Sequence, residues 1–512
     1  MIIEGTDQIG KTLTASVCIV GSGPAGCTAA NFLVQQGIDV ILLDGSRKKW
    51  PNPNEPVTNA YLYNENDLLY NGETAGLMAE NEPEFLIRPS ISVGHSFPTE
   101  RELIYGGTGT HWGGQSRPLD PVVFEKRPGF PGWPVTRAEL DPYYDLASDF
   151  CCLYGDYYGP NKDVPGYNFT GEFWSKVVGE DLPRELDGFD FTMYQFFNDR
   201  QFQVKRVGGR TIGEQPKATV ILNASVLTTN TTGGAVSSVT VGVLNEAGKP
   251  AGTFTVKAQI VVLACGAVAN ARQLLLSGLG GDVVGRYFMA HPIANGANAV
   301  SVSGSIPSGL FAFYRSLPAE VLENSQTYAI TGKWVPNRVQ TIELETSRAW
   351  FNNSGSSDFY HGTLPCADSR ITLADTKDIF GQQQTKITWI LADRSETNYQ
   401  ELTGLFSRSI EKAYGYEVGV NQWPNVVPLM RINGHHLGTT RMGWTPADSV
   451  VDSNLQVHGA GGLFVAGSSV WASSGISNPT FSIVTFSIRL ADYIGKQLGK
   501  AGVTRVRACP AS

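Results

Sequence analysis

Two polar residues near the carboxyl end of the chain, His435 and Asn478, have the chemistry of a proton acceptor and its partner. A neutral imidazole can take a proton from a hydroxyl group because its ordinary pKa, about 6.5, lies close to working pH. An asparagine beside it can hold the same oxygen without adding a competing charge. His436 is the alternative base, and we expect it to point elsewhere because successive side chains of an extended segment face opposite sides.

The residues after Asn478 predict a long helix over 480–498, and the start of this helix bears on the site. Pro479 suits the first helical position and Asn478 suits the N-cap, so a simple capping role for Asn478 is the alternative to a functional one. The two roles are compatible, because the positive end of a helix stabilises negative charge on a nearby ligand.

A glycine-rich turn at the other end of the chain predicts a dinucleotide site. It contains Gly21, Gly23 and Gly26, follows the apolar run 16–20, and opens a helix that runs to Gly37. Gly21 allows the tight turn, Gly23 lets the backbone approach a pyrophosphate, and Gly26 lets the helix pack close to the strand. The phosphates are expected at the helix N-terminus, where free N–H groups and the helix dipole favour an anion.

A second apolar strand, 40–43, ends at Asp44, where such sites carry the acid that holds a ribose hydroxyl. Strand, glycines, helix, strand and acid in this order are far more specific than the glycines alone. The unit by itself does not distinguish NAD from FAD. No second fingerprint of this kind follows another strand, which argues against a flavin monooxygenase that uses NADPH.

Composition and charge are typical of a large enzyme. The chain has 512 residues, of which 42% are hydrophobic, 57 are Gly and 28 are Pro, enough for two substantial cores with many turns. Its net charge of −8 argues against nucleic acid or an anionic membrane as a partner, since both select basic surfaces. No apolar run of about 18 residues predicts a membrane span, and the first residues do not resemble a signal peptide. These features predict a cytoplasmic protein.

The 7 cysteines show no metal-binding spacing, so we expect no metal site. Cys18, Cys27 and Cys265 fall in predicted core elements and are expected to act as small apolar residues. The adjacent pair Cys151 and Cys152 is expected to be two free thiols, because a disulfide between neighbouring residues is strained.

A second glycine-rich segment, 105–116, is expected to pass close to a flat ligand. Gly107 and its neighbours let the backbone approach a ring system, and their N–H groups can donate hydrogen bonds to the ring edge. Thr110, His111 and Trp112 follow directly and are expected at the same site.

The order of these motifs resembles the glucose-methanol-choline (GMC) family of flavin oxidoreductases, with the greatest likeness to pyranose oxidases and bacterial sugar and glycoside 3-oxidases. In that family a histidine precedes an L-G-x-x-x-M-G turn, which here is 437–443, and a second histidine or asparagine stands immediately before Pro-Thr. Matching residue by residue gives the base position to His435 and the partner position to Asn478.

The resemblance implies that FAD is the cofactor. It further implies that His435 takes the hydroxyl proton of an alcohol while the carbon delivers a hydride to flavin N5. Gly467, Pro479 and Thr480 are expected to close the site around the cofactor.

The triplet at 110–112 resembles the T-H-W of pyranose oxidases, in which the histidine is bound covalently to the 8-methyl carbon of the flavin. Two alternatives follow from this resemblance: FAD is attached through His111, or His111 only packs beside the ring. The run 285–292 resembles the G-R-x-x-x-x-H-P element of the same branch, and His291 within it is expected to be structural rather than catalytic. The W-P element at 133–136 is expected to precede a helix whose Tyr143 and Tyr144 pack in the core or between domains.

The expected fold is α/β, with a Rossmann-like FAD-binding domain and a substrate domain of mixed β-sheet and helices, the architecture shared with p-hydroxybenzoate hydroxylase. We expect the FAD-binding domain to comprise 1–149, 211–294 and 431–512, and the substrate-binding domain to comprise 150–210 and 295–430. Strands of the FAD-binding domain are expected at 219–222, 236–243, 252–257, 260–264 and 463–466. Side chains that suit a sugar, although they are as often core residues, are Trp334, Trp350, Phe351, Trp389, Gln422 and Trp423.

The predicted reaction is oxidation of a secondary ring hydroxyl, at C2 or C3 of a sugar or glycoside, to a ketone, with oxygen or a quinone as electron acceptor. The alternative substrate is a primary alcohol on an aminosugar or another, non-carbohydrate alcohol. A flavin-binding protein without turnover is the alternative from another class, and the intact pair of His435 and Asn478 argues against it. The sequence leaves open the choice between oxidase and dehydrogenase and the oligomeric state.

Overall fold

The structure, a computed structural model, describes residues 1–46, 103–110, 112, 114–153, 201–291, 363–389, 434–475, 477–506 and 508. It also describes the backbone of strand residues at 85–87, 190–193, 195–196, 292–294, 313–316, 330–334, 357–361, 390–391 and 430–432, and the single helical residues 408 and 412.

The α-helices of these regions are α1 Pro24–Gln35, α2 Arg137–Phe150, α3 Ala267–Ser277 and α4 Pro479–Gln497. The strands in chain order are β1 Ile2–Glu4, β2 Thr12–Val20, β3 Val40–Leu43, β4 Phe85–Ile87, β5 Gln115–Ser116, β6 Lys126–Arg127, β7 Phe130–Pro131, β8 Asp190–Met193, β9 Gln195–Phe196, β10 Ala218–Leu222, β11 Ser225–Thr232, β12 Ala235–Leu244, β13 Pro250–Leu263, β14 Pro292–Ala294, β15 Phe313–Ser316, β16 Ile330–Trp334, β17 Ser357–His361, β18 Arg370–Lys377, β19 Gln383–Leu391, β20 Met430–Ile432 and β21 Leu463–Val465.

The largest sheet has 8 strands in the order β1-β10-β3-β2-β13-β12-β11, with β21 also paired to β13. The neighbouring strands β1, β10, β3, β2 and β13 pair in parallel, and β21 pairs in parallel with β13. The remaining neighbours, β13 with β12 and β12 with β11, pair antiparallel. The run 17–20 and the whole of β3 are buried, as expected for parallel strands that are covered on both faces. The predicted α/β fold with a Rossmann-like domain is therefore confirmed.

One strand prediction was wrong. The segments 252–257 and 260–264 were expected as separate strands, but β13 is one continuous strand, Pro250–Leu263. Its side chains keep alternating between buried and exposed through Ala258 and Gln259, and no turn residue interrupts them. The length lets β13 pair with β12 in its first part and with both β2 and β21 in its last part.

A second sheet has 6 strands in the order β20-β14-β17-β16-β15-β8, with all neighbours antiparallel. A smaller sheet joins β18, β19 and β4. The division into a FAD-binding and a substrate-binding domain at the expected boundaries stays a prediction.

Helix α4 is held in place by polar contacts with α1 and α2. Tyr144 lies in the core, and its hydroxyl is 2.8 Å from Ser482 Oγ, while the Tyr143 hydroxyl donates to Asp492 at 2.8 Å. On the other side, Gln36 Nε2, just after α1, donates to the carbonyl of Ala491 at 3.1 Å. The Ser482 contact lies in the first turn of α4, close to the N-cap Asn478, and the contacts of Ala491 and Asp492 hold the later turns of the helix.

The cysteine expectation was right for Cys151, which forms no disulfide, and wrong for Cys152, which is disulfide-bonded. Sequence reasoning considered only the neighbouring cysteine as a partner, and a disulfide joins residues that the fold brings together from any distance along the chain. Because disulfides are typical of oxidising compartments, this bond argues against a cytoplasmic location, which stays a prediction. Among the described helices, none is both long and apolar enough to cross a membrane.

Candidate active site

A cavity of about 660 Å³ extends from the glycine-rich turn to the histidine segment, within the range of ~300–1,000 Å³ that is usual for ligand sites. Most of the residues predicted to form the site line this single cavity. They are Gly21, Gly23, Asp44, Gly107, Trp112, His435, Gly467, Asn478, Pro479 and Thr480.

The glycine-rich turn is built as its sequence predicts. Gly21 has φ +100°, and a Cβ added there would lie 2.6 Å from the carbonyl oxygen of Ala264. A Cβ at Gly26 would lie 1.9 Å from the Gly21 carbonyl oxygen, so Gly26 allows α1 to pack against the turn rather than lining the cavity. A Cβ at Gly23 would meet no protein atom within 4 Å and would fill the space at the N-terminus of α1. This free space beside backbone N–H groups suits a pyrophosphate.

Asp44 ends β3 and is 6% exposed. One carboxylate oxygen accepts from the backbone N of Ser22 at 3.1 Å and from its hydroxyl, and the other accepts from the backbone N and the hydroxyl of Ser46 at 2.9 and 2.5 Å. Burial raises the pKa of Asp44, and these hydrogen bonds oppose the rise. Four hydrogen bonds fill the accepting capacity of a carboxylate, so a ribose hydroxyl would replace one of the serine hydroxyls.

The second glycine-rich segment approaches the first, as expected. A Cβ at Gly107 would lie 3.1 Å from the Cα of Gly23, which shows how closely the two backbones pass. Trp112 lines the cavity and packs against Phe202, with ring centroids 6.2 Å apart. Thr110 does not line the cavity, and its hydroxyl donates to the Gly107 carbonyl at 3.0 Å. His111 lies outside the described residues, so its expected attachment to a flavin stays a prediction.

The two candidate catalytic side chains meet across the cavity. His435 Nε2 is 3.4 Å from Asn478 Nδ2. Asn478 is the N-cap of α4 and Pro479 its first residue, yet the Asn478 side chain makes no capping hydrogen bond. A role limited to capping is therefore excluded. His436 is 4% exposed, and its ring packs against Phe288 at 5.6 Å between centroids, so the two neighbouring histidines have different surroundings.

Sequence reasoning missed a contact to the base candidate. His291 Nδ1 is 3.0 Å from His435 Nδ1, and His291 Nε2 is 3.3 Å from the carbonyl oxygen of Ser474. Met289 and Leu437 exchange backbone hydrogen bonds of 3.0 and 2.9 Å in an antiparallel bridge, which brings the two histidines opposite each other. The G-R-x-x-x-x-H-P likeness marked His291 but gave no sign of this partner.

Burial keeps both imidazoles neutral. It lowers the pKa of His291, which has no exposed surface, to about 4, although backbone hydrogen bonds with Ser474 and Gly475 oppose the change. Burial, and secondarily the neighbouring His291, hold the pKa of His435 well below its usual value. His435 is partly exposed, and it lines the cavity. A neutral imidazole with a free lone pair is the form that accepts a proton.

Sequence reasoning also missed the far end of the cavity. The turn between β18 and β19 reaches it and contributes Asp378, Phe380 and Gln382. Asp378 forms a buried ion pair of 2.7 Å with Arg272 of α3. Gln382 Nε2 of this turn donates to the Leu227 carbonyl at 2.8 Å, and the nearby backbone N of Ala224 donates to the Asp44 carbonyl at 2.9 Å. The turn therefore lies on the Asp44 side of the cavity, which suits the adenosine half of a dinucleotide.

The aromatic candidates for sugar binding are not brought together in the described regions. Trp389 is 2% exposed and packs edge-on against Phe288, so it is a core residue. Trp334 is described by its backbone alone, and the other candidates, Trp350, Phe351, Gln422 and Trp423, lie outside the described residues.

Residues 365–487 match the family described as GMC oxidoreductase, and residues 14–60 match the FAD binding domain. The chain is 26% identical to the fructose dehydrogenase large subunit of Gluconobacter japonicus over 94% of this chain and 98% of that protein. It is 24% identical to 2-methyl-1,2-propanediol dehydrogenase of Mycolicibacterium austroafricanum over 94% of this chain and 95% of that protein. A C-glycoside 3-oxidase of Microbacterium trichothecenolyticum is 26% identical over 51% of this chain and 53% of that protein.

The fold is also similar to that of a solved structure, pyridoxine 4-oxidase from Mesorbium loti, with a TM-score of 0.59 and 16% identity over 93% of this chain and 98% of the other. The free space at Gly23, the parallel sheet and the cavity that ends at a neutral histidine all fit FAD. Both family matches contain residues that line this cavity. The chain is therefore similar to the GMC oxidoreductases, and it is an FAD-dependent oxidoreductase that acts on CH–OH groups.

Proposed function

We propose that the chain oxidises a secondary ring hydroxyl of a sugar or glycoside, at C2 or C3, to a ketone. The observation that carries the chemical part of this proposal is the approach of His435 Nε2 to Asn478 Nδ2, 3.4 Å apart, in the cavity that contains the dinucleotide turn. The carbohydrate part is supported by the similarity to a fructose dehydrogenase and to a C-glycoside 3-oxidase.

In this proposal His435 and Asn478 share the substrate hydroxyl. The hydroxyl oxygen takes the place between the two side chains, where Nε2 of His435 accepts its proton and Nδ2 of Asn478 donates to its lone pair. The contact of 3.4 Å is long for a hydrogen bond, so the two groups separate at little cost when an oxygen enters. The hydroxyl proton then resides on His435 Nε2.

The carbon that bears the hydroxyl must lose a hydride while the proton leaves. Bound FAD supplies the acceptor for this hydride at N5. The balance is an alcohol converted to a ketone, with one proton held by His435 and one hydride transferred. The positive end of α4, which starts at Pro479 on the cavity wall, favours the negative charge that accompanies the hydride.

A second candidate substrate is a non-carbohydrate or primary alcohol, including one on an aminosugar. The similarity to 2-methyl-1,2-propanediol dehydrogenase over 94% of the chain favours it. The acceptor is oxygen or a quinone, and the described residues of the cavity do not select between them.

Anaerobic mixing tests the proposal. The holoenzyme is mixed with a panel of free sugars, glycosides, aminosugars and small diols, and the loss of flavin absorbance is followed. Bleaching by sugars or glycosides and not by small diols supports the carbohydrate proposal. The position of the ketone in the product then identifies the oxidised carbon. Bleaching by aliphatic alcohols alone refutes it and favours the second candidate. Reoxidation by oxygen with peroxide formation, or by a quinone alone, then identifies the acceptor.

A further inference from the structure

We propose that His291 is a positioning residue for His435: it accepts the Nδ1–H of His435 and thereby directs the Nε2 lone pair toward Asn478 and the substrate hydroxyl. The inference rests on the proposed function, because it assigns to His435 the role of base. It goes beyond that function by naming the group that selects which nitrogen of His435 is free.

The contact between His291 and the backbone of Ser474 determines which nitrogen of His291 carries a hydrogen. The carbonyl oxygen of Ser474, 3.3 Å from His291 Nε2, can only accept a hydrogen bond, so Nε2 of His291 carries a hydrogen. A neutral imidazole carries one hydrogen, which leaves Nδ1 of His291 bare. The neutral form is the one present, because burial lowers the pKa of His291 to about 4.

The bare Nδ1 of His291 fixes the hydrogen of its partner. His435 Nδ1, 3.0 Å away, must donate, so it carries the single hydrogen of neutral His435. Nε2 of His435 is then the unprotonated nitrogen, and the Asn478 amide donates toward it. With the opposite tautomer of His435, two bare nitrogens would face each other at Nδ1, and Nε2–H would meet an amide N–H.

Ser474, whose carbonyl contacts His291, is itself held by hydrogen bonds. The Ser474 hydroxyl accepts from the backbone N of Thr363 at 3.0 Å and donates to the Thr363 carbonyl at 3.1 Å. The bridge between Met289 and Leu437 holds the two histidine segments in register. The rings of His291 and His435 stand nearly perpendicular, at 88°, so a nitrogen of each can meet without stacking. A partner held in this way determines the tautomer of a catalytic histidine.

The surroundings contain no competing charge in the part of the chain that the structure describes. Among the described residues, His291 is the one titratable group that shifts the pKa of His435, and apart from burial the pKa of His291 responds to backbone groups of Ser474 and Gly475. The adjacent His436 is packed against Phe288 on another side. The effect of His291 is therefore exerted through a hydrogen bond between neutral rings.

Three substitutions separate a positioning role from a structural one. His291→Leu removes the acceptor, His291→Asn keeps an acceptor oxygen near the position of Nδ1, and His291→Asp places a carboxylate there. Thr439→Val is the matched control, because it removes a buried hydrogen bond from the Thr439 hydroxyl to the Ala267 carbonyl, four residues after His435, and leaves both histidines and their partners intact.

We expect His291→Leu to slow anaerobic flavin reduction about 10- to 100-fold, the equivalent of one buried hydrogen-bonding group left without its partner. Substrate affinity should change little, because Asn478 and His435 remain. His291→Asn should recover most of the rate, and Thr439→Val should stay near the wild-type rate. A wild-type rate of flavin reduction in His291→Leu, or an equal loss of rate in this variant, in His291→Asn and in the Val control, would contradict the proposal.

The dependence of the flavin-reduction rate on pH distinguishes a positioning role from a loss of stability. A carboxylate beside an imidazole raises the pKa of the imidazole. The acid limb of flavin reduction should therefore move to higher pH in His291→Asp than in the wild type. An unmoved limb in a folded, flavin-loaded His291→Asp enzyme would show that residue 291 does not contact the base.

The tautomer can also be read without any substrate. In holoenzyme labelled with ¹⁵N-histidine, the His435 resonance, assigned by its loss in His435→Ala, should show a protonated Nδ1 and an unprotonated Nε2. A protonated Nε2 in the wild type refutes the inference even if every rate agrees. Conversely, a wild type that no alcohol reduces defeats the proposed function, while the nitrogen shifts still decide the arrangement of His291 and His435.

Discussion

Replacing the proposed base should abolish chemistry while leaving the cofactor in place. In His435→Ala the cradle at Gly23 and the dinucleotide turn are untouched, so FAD should bind as in the wild type. The variant loses the proton acceptor, and general-base catalysis contributes about 10²–10⁴ in rate. That range corresponds to about 3–5.5 kcal/mol of activation free energy, at about 1.4 kcal/mol per factor of ten.

The structure places the expected loss in the upper part of this range. His435 Nε2 and Asn478 Nδ2 lie 3.4 Å apart, and among the described cavity-lining residues the other imidazole, His436, is packed on Phe288. Asn478 can still hold the hydroxyl oxygen, but an amide N–H cannot take its proton. Substrate affinity should therefore fall much less than the rate of reduction.

Anaerobic stopped-flow reduction of the flavin is the appropriate assay, because it isolates proton and hydride transfer from reoxidation. His436→Ala is the matched control: it removes the neighbouring imidazole and a buried ring contact with Phe288. This control should lose thermal stability and retain most of the reduction rate. A slower reduction in His436→Ala than in His435→Ala would refute the assignment of the base, and equal rates in His435→Ala and the wild type would refute base catalysis here altogether.

Three further predictions concern the cofactor and pH. Acid precipitation should leave yellow flavin on the protein, and His111→Ala should release it while still binding FAD; a colourless wild-type pellet rejects covalent attachment. Phe380 lines the cavity, so Phe380→Ala should weaken FAD binding roughly 10-fold through lost apolar burial. The neighbouring Ile379 is 44% exposed, and Ile379→Ala should leave FAD affinity unchanged. If a fluorescence titration gave the two variants the same FAD affinity, the far end of the cavity would be excluded as the adenosine site. The pKa of His291 is about 6.5 in the unfolded chain and about 4 in the folded protein. The contribution of neutral His291 to the free energy of unfolding should therefore be fully present above pH 6.5 and fall by about 3 kcal/mol as the pH drops to 4. Thermal melts in which the melting temperatures of wild type and His291→Leu fall equally steeply between pH 7 and 5 would contradict this.

Features set by neighbouring residues could be predicted from the sequence. The apolar run 40–43 became β3, Val40–Leu43, and Pro479 became the first residue of α4. Both depend on local chemistry: a short apolar run before an acid in one case, and the fixed φ of proline in the other. The glycine-rich turn belongs to the same class, since Gly21 has a positive φ of 100° and Gly26 packs against the Gly21 carbonyl within the unit itself.

Features set by distant pairings could not be predicted. The turn 378–382 reaches the cavity only because β18 and β19 form a hairpin beside α3, and Asp378 meets Arg272 across more than a hundred residues of chain. The contact of His291 with His435 depends on the bridge between Met289 and Leu437. Single-sequence patterns describe periodicity along the chain and contain no register between such segments.

The low pKa of the base determines how it can act. An imidazole with a pKa well below its usual value is neutral near pH 7, but it is a reluctant acceptor because its cation is poorly solvated. The positive end of α4, next to Asn478, disfavours that cation further and favours negative charge on a bound ligand. A positive charge on His435 alone is therefore costly, and so is a negative charge in the cavity without a counter-charge. The two charges stabilise each other only if they form together, so this geometry favours proton acceptance by His435 in step with hydride departure from the carbon.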